Sequence, residues 1–206
     1  VILDTERLDK TAIRETVENW VMWRDSGDWE RFATVWHPDG WMTATWFQGP
    51  AADFVRVSRE GFNKGVSILH TLGGSTAEVA GERAISQTRM SILQRAALDG
   101  VLVDVLCTGR FYDFFQKHEG RWLIVRRQCI YDKDRLDPVD PSAILALDAE
   151  ALARFPEGYR HLAYLQSKNG FTVKNHLPGL RGPVVERLYA EGKAWLAGSA
   201  RPGEPL

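Results

Sequence analysis

The 206-residue chain has only two cysteines, and Cys107 and Cys129 are too far apart for a metal-binding pair. Two cysteines make no disulfide framework, so they are expected as reduced, buried thiols, lying nearly opposite each other on adjacent strands. Charge of one sign is also missing. Lys and Arg number 26 against 27 Asp and Glu, and no basic run stands out. Nucleic acid and anionic membranes both call for a concentrated positive face and are not expected as partners. No apolar run reaches the roughly 18 residues that a membrane span requires, and the first residues do not read as a signal peptide; the expectation is a cytoplasmic protein. The five histidines (37, 70, 118, 161, 176) never fall close to other ligand-type residues, so no zinc or iron site and no metal cofactor is expected. Gly73-Gly74 is a pair, not a phosphate-binding loop.

What is present is an ordinary globular composition, 44% hydrophobic and 26% charged, long enough for a substantial core. Eight tryptophans are the exception, six of them between residues 20 and 46. Residues 5–25 carry a helical rhythm through Leu8, Ile13, Val17, Trp20 and Val21. Ser26-Gly27 breaks it, and Asp28 is placed to cap a second helix over 28–36. His37-Pro38-Asp39-Gly40 reads as a turn, 41–47 as a strand, and Gly49-Pro50 as the start of a third helix with Phe54, Ser58 and Phe62 on one face, fraying near Gly65.

The pattern then changes to strands: 75–79, 84–96, 101–116 and 121–131. Asp99-Gly100 and Glu119-Gly120 are tight turns that can join only antiparallel neighbours. The reading is α+β: three N-terminal helices, then a curved, mostly antiparallel sheet packed on them. Val103, Val105 and Phe111 alternate with Leu102, Leu106 and Phe114, so both sheet faces are apolar. The outer face needs a cover, for which a homo-oligomer is expected. Residues 132–141 are charged and proline-bearing and mark the edge of the main unit. Helices are expected at 142–155, 159–166 and 184–196. The division is a main domain over 1–140 and a helical C-terminal extension over 141–206, packing on the sheet or on a neighbouring subunit and narrowing the mouth of any pocket. The residues after Gly198 should be loose.

Asp25 stands on the apolar row of the first helix, four residues after Val21, where a carboxylate is costly unless something pairs with it. It either caps the helix end or faces an apolar pocket and orients a histidine.

Arg24-Asp25-Ser26-Gly27-Asp28-Trp29, His70-Thr71-Leu72-Gly73-Gly74 and Glu119-Gly120-Arg121-Trp122, in that order, resemble the SnoaL-like group of the nuclear transport factor 2-like superfamily. The resemblance covers about residues 5–135 and is closest in kind to the branch holding scytalone dehydratase, lindane dehydrochlorinase and the bile-acid 7α-dehydratases. It implies a cone, a curved sheet wrapped around the helices with an apolar pocket inside, and a trimeric assembly. It implies catalytic roles for Asp25, for His70 just before the long strands, and for Arg127 on the last strand, with Arg126 as the competitor because neighbouring side chains face opposite ways. Trp46, Phe54, Leu93, Phe111 and Tyr131 are the expected substrate-binding wall.

The chain also departs from scytalone dehydratase. Leu93 stands where that enzyme has a second histidine, Arg24 where a tyrosine precedes the aspartate, and Ala44 near its other tyrosine. The implied chemistry is a cofactor-independent elimination from a hydrophobic, aromatic or polycyclic substrate. His70 would be the base, Asp25 its orienting carboxylate, and Arg127 the stabiliser of developing negative charge. The leaving group, whether water, halide or a carbon fragment such as formaldehyde, is left open by the residues. A ketosteroid-isomerase-like isomerase and a non-catalytic binding module are the alternatives. The first needs a lone acid in the pocket, and the second an apolar or filled one.

Overall fold

The computed structural model describes residues 2–199, with side chains from Thr5 onward. Helix α1 (Ile2–Ser26) ends at Gly27, whose φ of 76° is open to glycine at little cost. Asp28 then caps α2 (Trp29–Ala33) through the Arg31 amide. Both tight turns form as read. Asp99-Gly100 and Glu119-Gly120 have positive φ throughout (49° and 86°; 50° and 78°), the hairpin geometry that favours glycine in second place. They join the long strands β4 (Arg83–Leu98), β5 (Val101–His118) and β6 (Arg121–Pro138).

Strands β1 (Trp36–Thr43), β2 (Gln48–Pro50) and β3 (Ser67–Ala80) complete a six-stranded sheet in the order β2-β1-β6-β5-β4-β3. It is antiparallel except where β1 runs parallel to β6. The architecture is α+β, with α1, α2 and α3 (Ala51–Asn63) against one face of the sheet. Trp20, Phe32, Trp36 and Phe54 pack edge-on or stacked at 5.3–6.5 Å beneath that face, so this tryptophan-rich stretch is largely core.

Several boundaries differ from the sequence reading. The second helix stops at Ala33, because Trp36 begins β1, and 37–40 are part of that strand, where the register against β6 shifts between Trp36 and Trp41. Gly73-Gly74 does not delimit a strand. It lies in a bulge between Leu72 and Ser75, so β3 begins at Ser67 and His70 is inside the strand, not ahead of it. β6 runs past Tyr131 to Pro138. Cys107 and Cys129 are both free and buried but not opposite: Cys107 pairs with Asp134 and Cys129 with Phe111.

Beyond β6, the helix expected over 142–155 shrinks to α4 (Ala149–Ala153), started by the Asp148 cap, and Ile144 is 92% exposed. A 3-10 turn (Glu157–Tyr159) leads into α5 (Arg160–Lys168), which packs on β4, β5 and β6. Asp134 of β6 ties it down, accepting from the Leu162 amide and bonding His161 Nδ1, both at 2.8 Å.

Helix α6 (Pro183–Leu196) covers the opposite sheet face, with Val185, Leu188 and Trp195 against Ile85, Tyr112, Phe114, Val125 and Ile130. It comes close because Gly192 sits on the Tyr112 hydroxyl, where a Cβ would collide. The outer face is therefore covered in large part from within the chain. What stays bare is its far end, where Leu69, Leu93 and Leu102 are exposed.

Candidate active site

The last turn of α1 faces β3 and resolves the ambiguity of Asp25. Its carboxylate does not cap its own helix; it reaches 45 residues along the chain to His70. Asp25 Oδ1 lies 2.9 Å from His70 Nδ1, and Oδ2 accepts the His70 backbone N–H at 2.6 Å. Holding backbone and ring together fixes the imidazole on the strand and assigns Nδ1 to the carboxylate, which leaves Nε2 for chemistry. Trp20 meets the ring edge-on at 5.4 Å, and Phe111 lies tilted against it at 6.0 Å.

Burial pushes the His70 pKa below its ordinary 6.5; the Asp25 contact pulls the other way, and the positive charges of Arg24 and Arg127 add to the lowering. The lowering favours a neutral ring at pH 7, and the carboxylate beside Nδ1 favours the tautomer that carries its proton there. For Asp25, burial works toward a higher pKa, but its bonds to His70 and the charge of Arg24 hold it below the usual carboxylate value. Arg24 Nη1 donates to Asp25 Oδ1 at 3.1 Å and to the Ile68 carbonyl at 3.0 Å.

A one-residue bulge decides between the two arginines of β6. Phe115 pairs with Ile124 but Phe114 with Arg126, so Val125 is the extra residue. It shifts the alternation, sending Arg127, Cys129 and Tyr131 inward and Arg126 outward to Glu191 of α6 at 2.6 Å. Arg127 is inward but sealed. It is 0% exposed and gives a two-pronged ion pair to Asp113, 2.7 Å on each prong, between the faces of Trp20 (4.3 Å) and Phe111 (3.9 Å). Burial pushes the Asp113 carboxyl up against the pull of Arg127. Arg127 thus does not line the cavity; the guanidinium that does is Arg24.

That cavity, about 40 Å³, lies over His70. Trp46, Phe54, Phe111 and Tyr131 line it. Leu93 does not: it is 36% exposed on the outer face, because strand alternation turns Ile92 and Gln94 inward instead. Cys129 is also on the wall, its thiol pKa raised by burial to about 12. The C-terminal segment closes the top through Leu162 and Gln166 of α5. Gln166 is the centre of a buried relay in which the Thr45 hydroxyl donates to Gln166 Oε1 at 2.6 Å, and Gln166 Nε2 to Gln94 Oε1 at 3.0 Å. A larger groove of about 380 Å³ lies elsewhere, by Asp9, Lys117 and Trp122, whose polar atoms bond one another at 2.8 Å.

Sequence reasoning missed Asp113, one of several residues on an alternating strand, and Gln94 and Gln166, whose meeting across 72 positions leaves no local trace. For Arg24 the sequence gives a place in the family motif and a departure from scytalone dehydratase, but no role at the site. Among the described residues no three His, Cys, Asp or Glu side chains are grouped for a metal ion.

Three N-terminal helices against one face of a six-stranded, mostly antiparallel sheet give the nuclear transport factor 2-like fold. Within it, residues 5–128 match the SnoaL-like domain, and the chain belongs to that family. It is 36% identical over 202 residues to a PEP2-like protein of Fusarium vanettenii, covering 93% of this chain and 87% of that one. It is 34% identical to pea pathogenicity protein 2 of the same fungus, covering 95% and 88%. Both similarities extend past the family domain into the C-terminal segment. Among solved structures, a "Putative Scytalone Dehydratase" from Novosphingobium aromaticivorans superposes with a TM-score of 0.56 at 17% identity, covering 71% of this chain and 95% of that one. The beta subunit of a "putative aromatic-ring-hydroxylating dioxygenase" from the same organism gives 0.51 at 16%, with 63% and 92% covered; both likenesses concern the fold.

Proposed function

We propose that the protein is a cofactor-independent lyase that starts an elimination by removing a proton from carbon in a hydrophobic, aromatic or polycyclic substrate. The observation that carries this is the Asp25–His70 contact: a neutral, buried imidazole whose Nδ1 is committed to a carboxylate, on the wall of an aromatic cavity. In the step, His70 Nε2 takes the proton and the C–H electron pair forms the new double bond. The bond to the leaving group on the adjacent carbon breaks: halide departs as the anion, or hydroxide takes the proton back from His70 and departs as water. For a small carbon fragment such as formaldehyde, His70 instead takes the O–H proton of a hydroxymethyl group and the C–C bond breaks, its electron pair staying with the conjugated system left behind. Asp25 stabilises the imidazolium that forms.

Arg127 acts in this reading from behind the wall. Paired with Asp113, it packs between Trp20 and Phe111 beside the ring, and its charge adds a small part to the lowering of the His70 pKa that burial mainly causes. It is a positioning residue, and Arg24 is the cation on the cavity side. An isomerase of the ketosteroid kind has less support, because the two carboxylates of the site, the partly buried Asp25 and the buried Asp113, are each engaged by a cationic or imidazole partner. A plain binding module would have no need of the pair.

As it stands the cavity has room for about one or two waters, so a ring-sized substrate requires Trp46 and its neighbour Phe171, 5.6 Å away, to swing out. The test is incubation with a panel of hydroxylated and halogenated aromatic and steroid-like compounds, read by mass. The expected result is loss of a small neutral fragment by the wild type and not by His70→Asn. A mass-neutral rearrangement would indicate the isomerase, and recovery of every compound unchanged would favour binding alone.

A further inference from the structure

A second chamber of about 50 Å³ adjoins the first, and Arg24, Trp46, Ile68 and Gln166 line both. It opens toward α3, whose Ser58 contributes to its wall. Ser58 is 4% exposed and its hydroxyl has no hydrogen-bond partner. A serine inside a helix ordinarily bonds back to the carbonyl four residues earlier; this one does not. Arg24, 7% exposed, spends Nη1 on Asp25 and Ile68 while its Nε has no partner. The Thr45–Gln166–Gln94 relay runs in one direction, each donor feeding the next oxygen, and ends at Gln94, whose amide lines this chamber. Two unpartnered donors, Ser58 Oγ and Arg24 Nε, thus stand on one small wall with the Gln94 amide, among Val57, Phe62 and Phe171. Buried donors without acceptors are costly, and a site built this way rewards an acceptor that enters it.

We propose that this chamber binds a neutral carbonyl oxygen of the ligand, with Ser58 Oγ, Arg24 Nε and Gln94 Nε2 as donors. Charge decides against a carboxylate. Arg24 with Asp25 and Arg127 with Asp113 are balanced pairs, and His70 is neutral, so an anion would enter uncompensated. The elimination reading enters only in taking the ligand to be the substrate, which makes that substrate an aryl or polycyclic ketone, ester or quinone-like compound. The donors then complement charge that moves onto the oxygen when His70 takes the proton.

The test uses acetophenone and its isostere α-methylstyrene, which has CH₂ in place of the oxygen, with benzoate as the anionic counterpart. Binding is followed by protein NMR shifts. Acetophenone should bind the wild type, and Ser58→Ala should weaken it about fivefold while leaving α-methylstyrene unchanged, the loss expected for one hydrogen bond. Ser58→Ala removes an unpartnered hydroxyl, so thermal stability should not fall. The same Ser58 effect should persist in a His70→Asn background, because neither compound can undergo elimination. A failed lyase reading therefore leaves this result standing. No acetophenone binding, equal effects of Ser58→Ala on both compounds, or tighter binding of benzoate than of acetophenone would overturn the proposal.

Discussion

At the scale of single residues, the site is two buried ion-type pairs joined through aromatic rings. Asp25–His70 carries the proposed chemistry and Arg127–Asp113 holds its frame. His70→Asn should fold and lose at least about a hundredfold in turnover; Asp25→Asn should lose a similar amount by failing to stabilise the imidazolium. Single-turnover rates on a compound identified by the mass panel check both. Breaking the sealed pair is a different matter. Arg127→Leu or Asp113→Leu alone strands a buried charge and should cost about 3–5 kcal/mol, whereas the double variant should recover much of that. Chemical denaturation of the three proteins would show it, and equal losses in all three would contradict it. The pH dependence has a definite sign. The folded-state pKa of His70 lies below its unfolded value, so the unfolded chain binds the extra proton first. Stability from this residue is full above about pH 6.5 and is lost as pH falls from there toward the folded-state value. His70→Asn should flatten that slope.

At the scale of elements, backbone irregularities place the residues. The two tight turns were legible because Asp-Gly and Glu-Gly between apolar runs admit little else, and with them came the antiparallel meander. The choice of Arg127 over Arg126 was not legible, since it depends on the bulge at Val125, and valine carries no local signal for one. Gly73-Gly74 did carry a signal, but glycine pairs mark bulges as well as strand ends, which is why β3 came out too short and His70 was put ahead of it. Leu93 fell on the wrong face for the same class of reason: one position of register turns a side chain through the sheet. Asp25 was legible as an anomaly, a carboxylate on an apolar row, while its partner was indicated only by the family resemblance. The docking of α6 gives an element-scale prediction. Gly192→Ala should cost about 1–3 kcal/mol through overpacking against Tyr112, and Tyr112→Phe in the same background should restore part of it. An unchanged denaturation midpoint for Gly192→Ala would show that the helix sits further out.

At the scale of the whole molecule, the C-terminal segment is part of both faces of the cone. α5 roofs the cavity through Leu162 and Gln166, and α6 covers Phe114, Val125 and Ile130 outside. The apolar strand pattern that suggested a homo-oligomer through the outer face is met mainly by this helix, leaving the Leu69–Leu93–Leu102 end as the remaining seat for one. Light scattering at micromolar concentration should give a multiple of the single-chain mass if that seat is used, and Leu93→Glu should return it to one chain. Truncation after Asp140 should uncover both faces, so a lower melting temperature and aggregation are expected. A truncated protein as soluble and as stable as the full chain would contradict the roof and the cover alike.

The central claim is that His70 is a neutral base held by Asp25, and it can be read without any substrate. Nitrogen NMR of the histidine side chains across pH should show His70 carrying its proton on Nδ1 at pH 7 and gaining a second only below pH 6.5, with Asp25→Asn changing that titration. A His70 ring that is protonated at pH 7, or that carries its single proton on Nε2, would contradict the account.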